Sequence, residues 1–177
     1  MSKLKHLDLA KNRIRSVNRL AFGTFDGTGT SLIRLNLAGN LIEQITDPGS
    51  FLYMSSLAYL DLSYNRLNNI SDNAFERLEA FNDMGQLERL SISRTTLFSI
   101  NDHTFFATSI RNLKSLNLAF CRIRHIASRA FYKLSNLQQL LLNDNQLTTI
   151  NSMVILMKHR NPRYDNEAVI SILAWRN

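Results

Sequence analysis

The sequence predicts an α/β-class fold: a right-handed β-solenoid with a parallel sheet on its concave face and irregular coils and short helical turns on its convex face. Two observations carry that expectation. The pattern Leu-x-x-Leu-x-Leu-x-x-Asn-x-Leu comes round six times with little variation, opening at Leu4, Leu32, Leu57, Leu87, Leu113 and Leu137. Within each copy the second and third leucines alternate with other residues at period two, as a short strand buried on one face requires.

Each copy therefore specifies one strand. Its inward positions are Leu7, Leu35, Leu60, Leu90, Leu116 and Leu140, then Leu9, Leu37, Leu62, Ile92, Leu118 and Leu142. Burying the six or seven apolar side chains of a repeat stabilises it by about 1.5–3 kcal/mol each. Ordering its backbone costs roughly 1–2 kcal/mol per residue. An isolated repeat cannot offset that cost, so coils must stack and cover one another's core faces.

The turn after each strand buries backbone groups that no regular ladder satisfies. Asn12, Asn40, Asn65, Thr95, Cys121 and Asn145 stand there in the six copies. A side-chain amide supplies a donor and an acceptor together, so stacked asparagines can bridge successive turns; a threonine hydroxyl does part of this and a thiol less. Aliphatic residues follow at Val17, Ile45, Ile70, Ile100, Ile126 and Ile150. Further on, Phe22, Phe75, Phe105 and Phe131 are expected to stack beneath the convex side. The stretch Gly23 to Ser31, with three glycines, reads as a loop, and residues 74–81 suggest a short helix.

These columns resemble the leucine-rich-repeat family over residues 1–150. The convex phenylalanines and repeat lengths of roughly 24 to 30 residues resemble its typical extracellular class, found in receptors and adhesion proteins. The resemblance implies a non-catalytic protein-recognition module of a cell-surface or secreted protein, with a protein ligand or receptor as partner. An intracellular scaffold with the same binding mechanism, located in the cytoplasm, is the alternative. Residues 151–177 resemble a degenerate C-terminal flanking cap. Family caps read Asn-Pro-Trp-x-Cys-Asp-Cys, whereas Asn161-Pro162 here is followed by Arg163, and Asp165 and Glu167 replace the cysteines. A truncated cap and an unrelated amphipathic helix both stay open. In either, the stretch from Glu167 would lay Val169, Ile170, Leu173 and Trp175 over the last coil.

A length of 177 residues with 45% hydrophobic content suits one solenoid domain, and no apolar run is long enough to span a membrane. The chain opens Met-Ser-Lys directly into the first repeat, so it reads as part of a longer protein whose uncapped ends could self-associate through strand edges. One cysteine excludes an internal disulfide and a four-cysteine zinc site. Asn69-Ile70-Ser71 is a formal glycosylation acceptor.

No catalytic motif stands in the sequence. Cys121 and His125 lie four apart, but the repeat register puts Cys121 in the turn ladder, which makes it a packing residue. His6, His103 and His159 have no partner at ligand spacing. No enzyme, cofactor or metal is expected. The net charge of +7, from 21 basic and 14 acidic residues, could attract a polyanion such as heparan sulfate. Arg13, Arg15, Arg66, Arg122 and Arg124 occupy matching positions, but Leu41, Glu43, Thr96 and Phe98 interrupt them. A solvated surface is the simpler reading, and nucleic acid is not favoured.

The outward strand positions form the most informative surface. One column is His6, Arg34, Tyr59, Arg89, Ser115 and Gln139; beside it run Asp8, Asn36, Asp61, Ser91, Asn117 and Leu141. Just past the strands come Tyr64, Arg94 and Phe120 on consecutive coils. Tyrosine and arginine are the residue types most often energetic at interfaces, and residues held on a rigid sheet lose little further freedom on binding. Arg34, Tyr59, Asp61, Tyr64, Arg89, Arg94 and Phe120 are therefore the candidate protein-binding site. A wet concave face with purely intramolecular Tyr–Arg packing is the other reading of the same residues.

Overall fold

The leucine alternation does build a parallel β-solenoid. In the computed structural model, residues 3–18, 22, 31–45, 50–51, 54–70, 86–102, 104–105, 110–149 and 169–171 are described. The repeats contribute β1 (His6–Asp8), β2 (Arg34–Asn36), β4 (Tyr59–Asp61), β6 (Arg89–Ser91), β8 (Ser115–Asn117) and β10 (Gln139–Leu141). With β11 (Val169–Ser171) they make a seven-stranded sheet in the order β1-β2-β4-β6-β8-β10-β11, every neighbouring pair parallel.

The register aligns each leucine with its counterpart one coil away, as in Leu35↔Leu60 and Leu90↔Leu116. Leu35, Leu60, Leu90, Leu116 and Leu140 are 2% exposed or less, because each is covered by coils on both sides. In the first coil Leu4 is 39% exposed and Leu7 and Leu9 are only partly buried.

The turn ladder has the expected geometry. Asn40 Nδ2 donates to Leu9 O and Leu37 O, both at 2.9 Å, while its Oδ1 accepts the Ile14 N–H at 3.0 Å. Asn65 repeats this one coil on, toward Leu37 O, Leu62 O and Ile42 N, and Asn145 does so toward Leu118 O, Leu142 O and Ile123 N. Each amide thus joins its own coil to the one before. Thr95 Oγ1 donates to Ile92 O at 3.1 Å, and Cys121 Sγ reaches the same carbonyl at 3.3 Å. A hydroxyl or a thiol offers one side-chain atom where the amide has separate donor and acceptor atoms.

Convex structure differs in two respects from what the sequence suggests. Two-residue strands β3 (Gln44–Ile45), β5 (Asn69–Ile70), β7 (Ser99–Ile100) and β9 (His125–Ile126) pair as β3-β5 and β7-β9, each ending on the trailing isoleucine of its repeat. Pairs this short leave no alternation to read. Phe51, 1% exposed, fills the second coil beside the expected Phe22, Phe105 and Phe131. It falls out of the phenylalanine column because it lies sixteen residues beyond its strand leucine, Leu35, instead of the usual fifteen. Phe105 and Phe131 stack with centroids 5.8 Å apart. Short turns of the i to i+3 type carry Phe131, with Leu134 N–H bonded to Phe131 O at 3.0 Å.

At the other end, the backbone of residues 169–171 is a strand and not the start of a helix. It pairs Gln139↔Val169 through Leu141↔Ser171, so it satisfies edge groups of β10 that a helix would leave open. Valine and isoleucine also favour strand geometry. Phe75, the expected helix at 74–81, the glycine-rich stretch at 23–30, and Leu173 and Trp175 lie outside the described residues.

Candidate interaction surface on the sheet and its flank

Parallel pairing in unbroken register places His6, Arg34, Tyr59, Arg89, Ser115 and Gln139 in one outward row, which lines a shallow groove. Neighbouring strands lie about 4.8 Å apart, close enough for side chains in a row to stack. The Arg34 guanidinium sits 4.4 Å from the Tyr59 ring centroid, and Arg89 approaches the same ring at 5.5 Å. One half-buried tyrosine thereby sets the position of two exposed arginines. Next along the row, Ser115 Oγ donates to Gln139 Oε1 at 2.7 Å.

The neighbouring row has a different job. Asp8, Asn36, Asp61 and Asn117 each accept, through Oδ1, the N–H two residues on, at 2.9–3.0 Å. These Asx turns bend the chain out of the strand. Asp61 therefore serves the turn through its bond to Ser63 N–H, in addition to lying beside Tyr59 in the sheet. Where Ser91 replaces the Asx residue, its hydroxyl meets Ser63 Oγ at 2.7 Å instead.

Immediately beyond that turn the backbone enters the left-handed region in all six coils, at Lys11, Gly39, Tyr64, Arg94, Phe120 and Asp144, with φ between 54° and 68°. The amides of these residues form a ladder of their own: Tyr64 N–H reaches Ser93 O at 2.9 Å and Arg94 N–H reaches Ala119 O at 3.0 Å. Only Gly39 takes this conformation without strain. That glycine is also the clearest hint of it in the sequence, because residues such as Tyr64, Arg94 and Phe120 carry no left-handed signature.

Three of those strained residues stack on one another. The Arg94 guanidinium lies 4.1 Å from the Phe120 centroid and 5.3 Å from that of Tyr64, so the three consecutive coils form a sandwich. Tyr64 is 59% and Phe120 43% exposed, which shows that neither ring is held for the core. A further stack, Arg124 over Phe98 at 5.1 Å, lies on the same flank; in the linear sequence Phe98 is merely an interruption of the basic positions. The seven predicted residues thus fall into two clusters, Arg34–Tyr59–Arg89 with Asp61 alongside, and Tyr64–Arg94–Phe120.

Chemistry of other kinds has little support. Burial holds the Cys121 thiol above its usual pKa, outweighing hydrogen bonds with Thr95 and Arg94 that act in the opposite direction, so the sulfur stays protonated and poorly nucleophilic. His125 is exposed on β9. Among the described residues no three His, Cys, Asp or Glu side chains gather to hold a metal ion, and no helix is long and apolar enough to cross a membrane.

The repeated coil, the asparagine ladder and the parallel concave sheet define a class of repeat protein, and the chain belongs to the leucine-rich-repeat family. Leucine-rich-repeat models match residues 30–80 and 111–156, and a second such model matches residues 1–17. Among individual proteins, Toll-like receptor 3 of Boselaphus tragocamelus is 34% identical over 140 residues, 78% of this chain and 14% of the receptor. Tsukushi of Xenopus tropicalis is 32% identical over 149 residues, 82% of this chain and 39% of that protein. An adenylate cyclase of Schizosaccharomyces pombe also aligns, at 29% identity, over only 8% of its length. In three dimensions the chain resembles a chain of the Drosophila Toll–Spatzle complex, with a TM-score of 0.65 at 22% identity over 99% of this chain and 25% of that one. The chain spans well under half the length of these relatives.

Proposed function

We infer that this chain is a non-catalytic protein-recognition module of a cell-surface or secreted protein, and that it grips its partner through the sheet face and adjoining turn. The observation that carries this reading is the pair of arginine–aromatic stacks, Arg34–Tyr59–Arg89 and Tyr64–Arg94–Phe120. Their side chains are ordered by each other and not by the core, so binding costs little extra side-chain entropy. A guanidinium whose face rests on a ring keeps its N–H edge for a partner's carboxylate or carbonyl. Asp61 contributes from the edge of the site.

Kinship supports the same direction. Toll-like receptor 3 is named as a receptor, and the Toll chain that shares the fold is seen in complex with Spatzle. The receptor name and the Spatzle complex agree with a macromolecular ligand, an address at the cell surface or outside it, and no reaction of the module's own; the choice of a protein ligand rests on the arginine–aromatic stacks. Alanine at Tyr64 and Arg94 should lower binding of the recombinant module to intact cells at least tenfold, with an unchanged melting curve. Undiminished binding would remove the Tyr64–Arg94–Phe120 cluster from the site.

A further inference from the structure

The flank that follows the sheet shares Tyr64, Arg94 and Phe120 with the proposed protein-binding site and extends beyond them with a chemistry of its own. Past each strand the exposure alternates, so that Tyr64, Arg66 and Asn68 project outward while Asn65 and Leu67 are buried, and the same holds from Arg94 to Phe98 and from Phe120 to Arg124. Backbone bonds stack these stretches coil upon coil: Arg66 N–H to Ile42 O, Arg122 N–H to Leu97 O, Arg124 N–H to Phe98 O. The left-handed turn residues therefore share one flank with the positions two and four further on.

That flank collects the positive charge of the chain. It carries Lys11, Arg13, Arg15, Arg66, Arg94, Arg122 and Arg124, all exposed, against Glu43 and Asp144; seven less two leaves +5 of the chain's net +7. In the linear sequence the basic stripe looks broken at Thr96 and Phe98. The folded chain closes that gap, because Arg94 arrives from the turn row and Phe98 becomes the platform for Arg124. Among the described residues the ion pair is Lys114–Glu88, and it involves none of the seven.

We propose that this flank binds a linear sulfated polysaccharide, with Arg66, Arg94, Arg122 and Arg124 at its centre and Lys11, Arg13 and Arg15 extending the track. Coils about 4.8 Å apart bring the four central arginines within roughly 10 Å along the solenoid axis, a charge density that suits a polymer bearing closely spaced anions. Stacking on Phe120 and Phe98 restrains two of the guanidinium groups, Arg124 also donating through Nε to Gln146 Oε1 at 2.9 Å, and the remaining N–H groups of such exposed guanidiniums match tetrahedral oxyanions. Single-stranded nucleic acid fits less well. Its bases need open rings to interleave, and here Tyr64, Phe98 and Phe120 each already hold a guanidinium on one face.

The test compares a triple and a double variant of the whole chain against a size-defined heparin oligosaccharide. Arg66→Ser, Arg122→Ser and Arg124→Ser together should weaken binding at least tenfold at physiological salt. They should also lower the slope of log affinity against log salt by about three, one for each arginine that no longer displaces a counterion. Arg34→Ala with Arg89→Ala, on the sheet face, should leave both quantities as they are, which separates this proposal from the sheet-face cluster of the protein-binding site. An unchanged slope in the triple variant with its denaturation midpoint intact would overturn the proposal. So would tighter binding of a single-stranded RNA of equal charge, which would assign the flank to nucleic acid.

Discussion

Asn65 is the sharpest test of the packing argument, because it is 5% exposed and serves four backbone groups. In Asn65→Ala the Ile42 N–H loses the Oδ1 at 3.0 Å, and the carbonyls of Leu37 and Leu62 each lose a donor at 2.9 Å. An orphaned buried donor costs about 1–3 kcal/mol, and carbonyls, with a second lone pair, somewhat less. A loss of about 3 kcal/mol follows from these magnitudes. With a urea dependence of about 2 kcal/mol per molar for a chain of this size, the midpoint should fall by roughly 1.5 M. Asn12→Ala is the internal control. Asn12 donates to Leu9 O and Ala10 O but is exposed, so water can replace it at a cost of about 0.5 kcal/mol. Urea titrations in which the two variants shift the midpoint equally would refute the claim that inter-coil satisfaction, and not the asparagine itself, supplies the stability.

The left-handed row predicts an asymmetry between glycine and its counterparts. Gly39→Ala should cost about 1 kcal/mol, because φ is 68° and the new Cβ would meet Lys11 Cγ only at ordinary packing distance, 3.4 Å. Tyr64→Gly should stay within about 0.5 kcal/mol of the native chain, since relief of strain offsets the missing ring stacking; calorimetry that ranks them in the reverse order would contradict the conformational account. Thr95→Asn combined with Cys121→Asn should complete the ladder and raise stability by about 1 kcal/mol per site, and a lowered melting temperature would show that the turns have closed around the smaller groups. The Cys121 thiol should resist alkylation at neutral pH unless the chain unfolds. Its folded pKa is raised, so its stabilising share is whole below the unfolded thiol's pKa and is lost as pH rises through the folded value; a denaturation midpoint in Cys121→Ala with the same alkaline fall as the native chain would refute that share.

Much of the fold was legible because it is written in repeats. The leucine columns, the ladder and the outward rows depend on spacing alone, and spacing survives in a linear string. Leu60 and Leu90 align because the same strand recurs at the same place in each coil. Phe51 is hidden by a single extra residue, and the strand at Val169–Ser171 is hidden because its cause, the open edge of β10, lies far away in the chain. The candidate site was half legible. Arg34, Tyr59 and Arg89 could be set in one row from the repeat, whereas the Asx role of Asp61 and the Phe98–Arg124 stack emerge only in the folded chain.

By itself the sequence determined which side chains are buried and which coil each belongs to, since apolar periodicity and the entropy cost of an isolated repeat admit one stacked arrangement. Tertiary structure alone decided how the exposed residues of different coils combine. The repeat register already sets Tyr64, Arg94 and Phe120 on consecutive coils, but the left-handed backbone that holds them in a stack shows in the sequence only at Gly39. Likewise Arg94 joins Arg66, Arg122 and Arg124 on one flank: lateral neighbours in a solenoid are set by coil registry, and registry exists only once the coils are stacked.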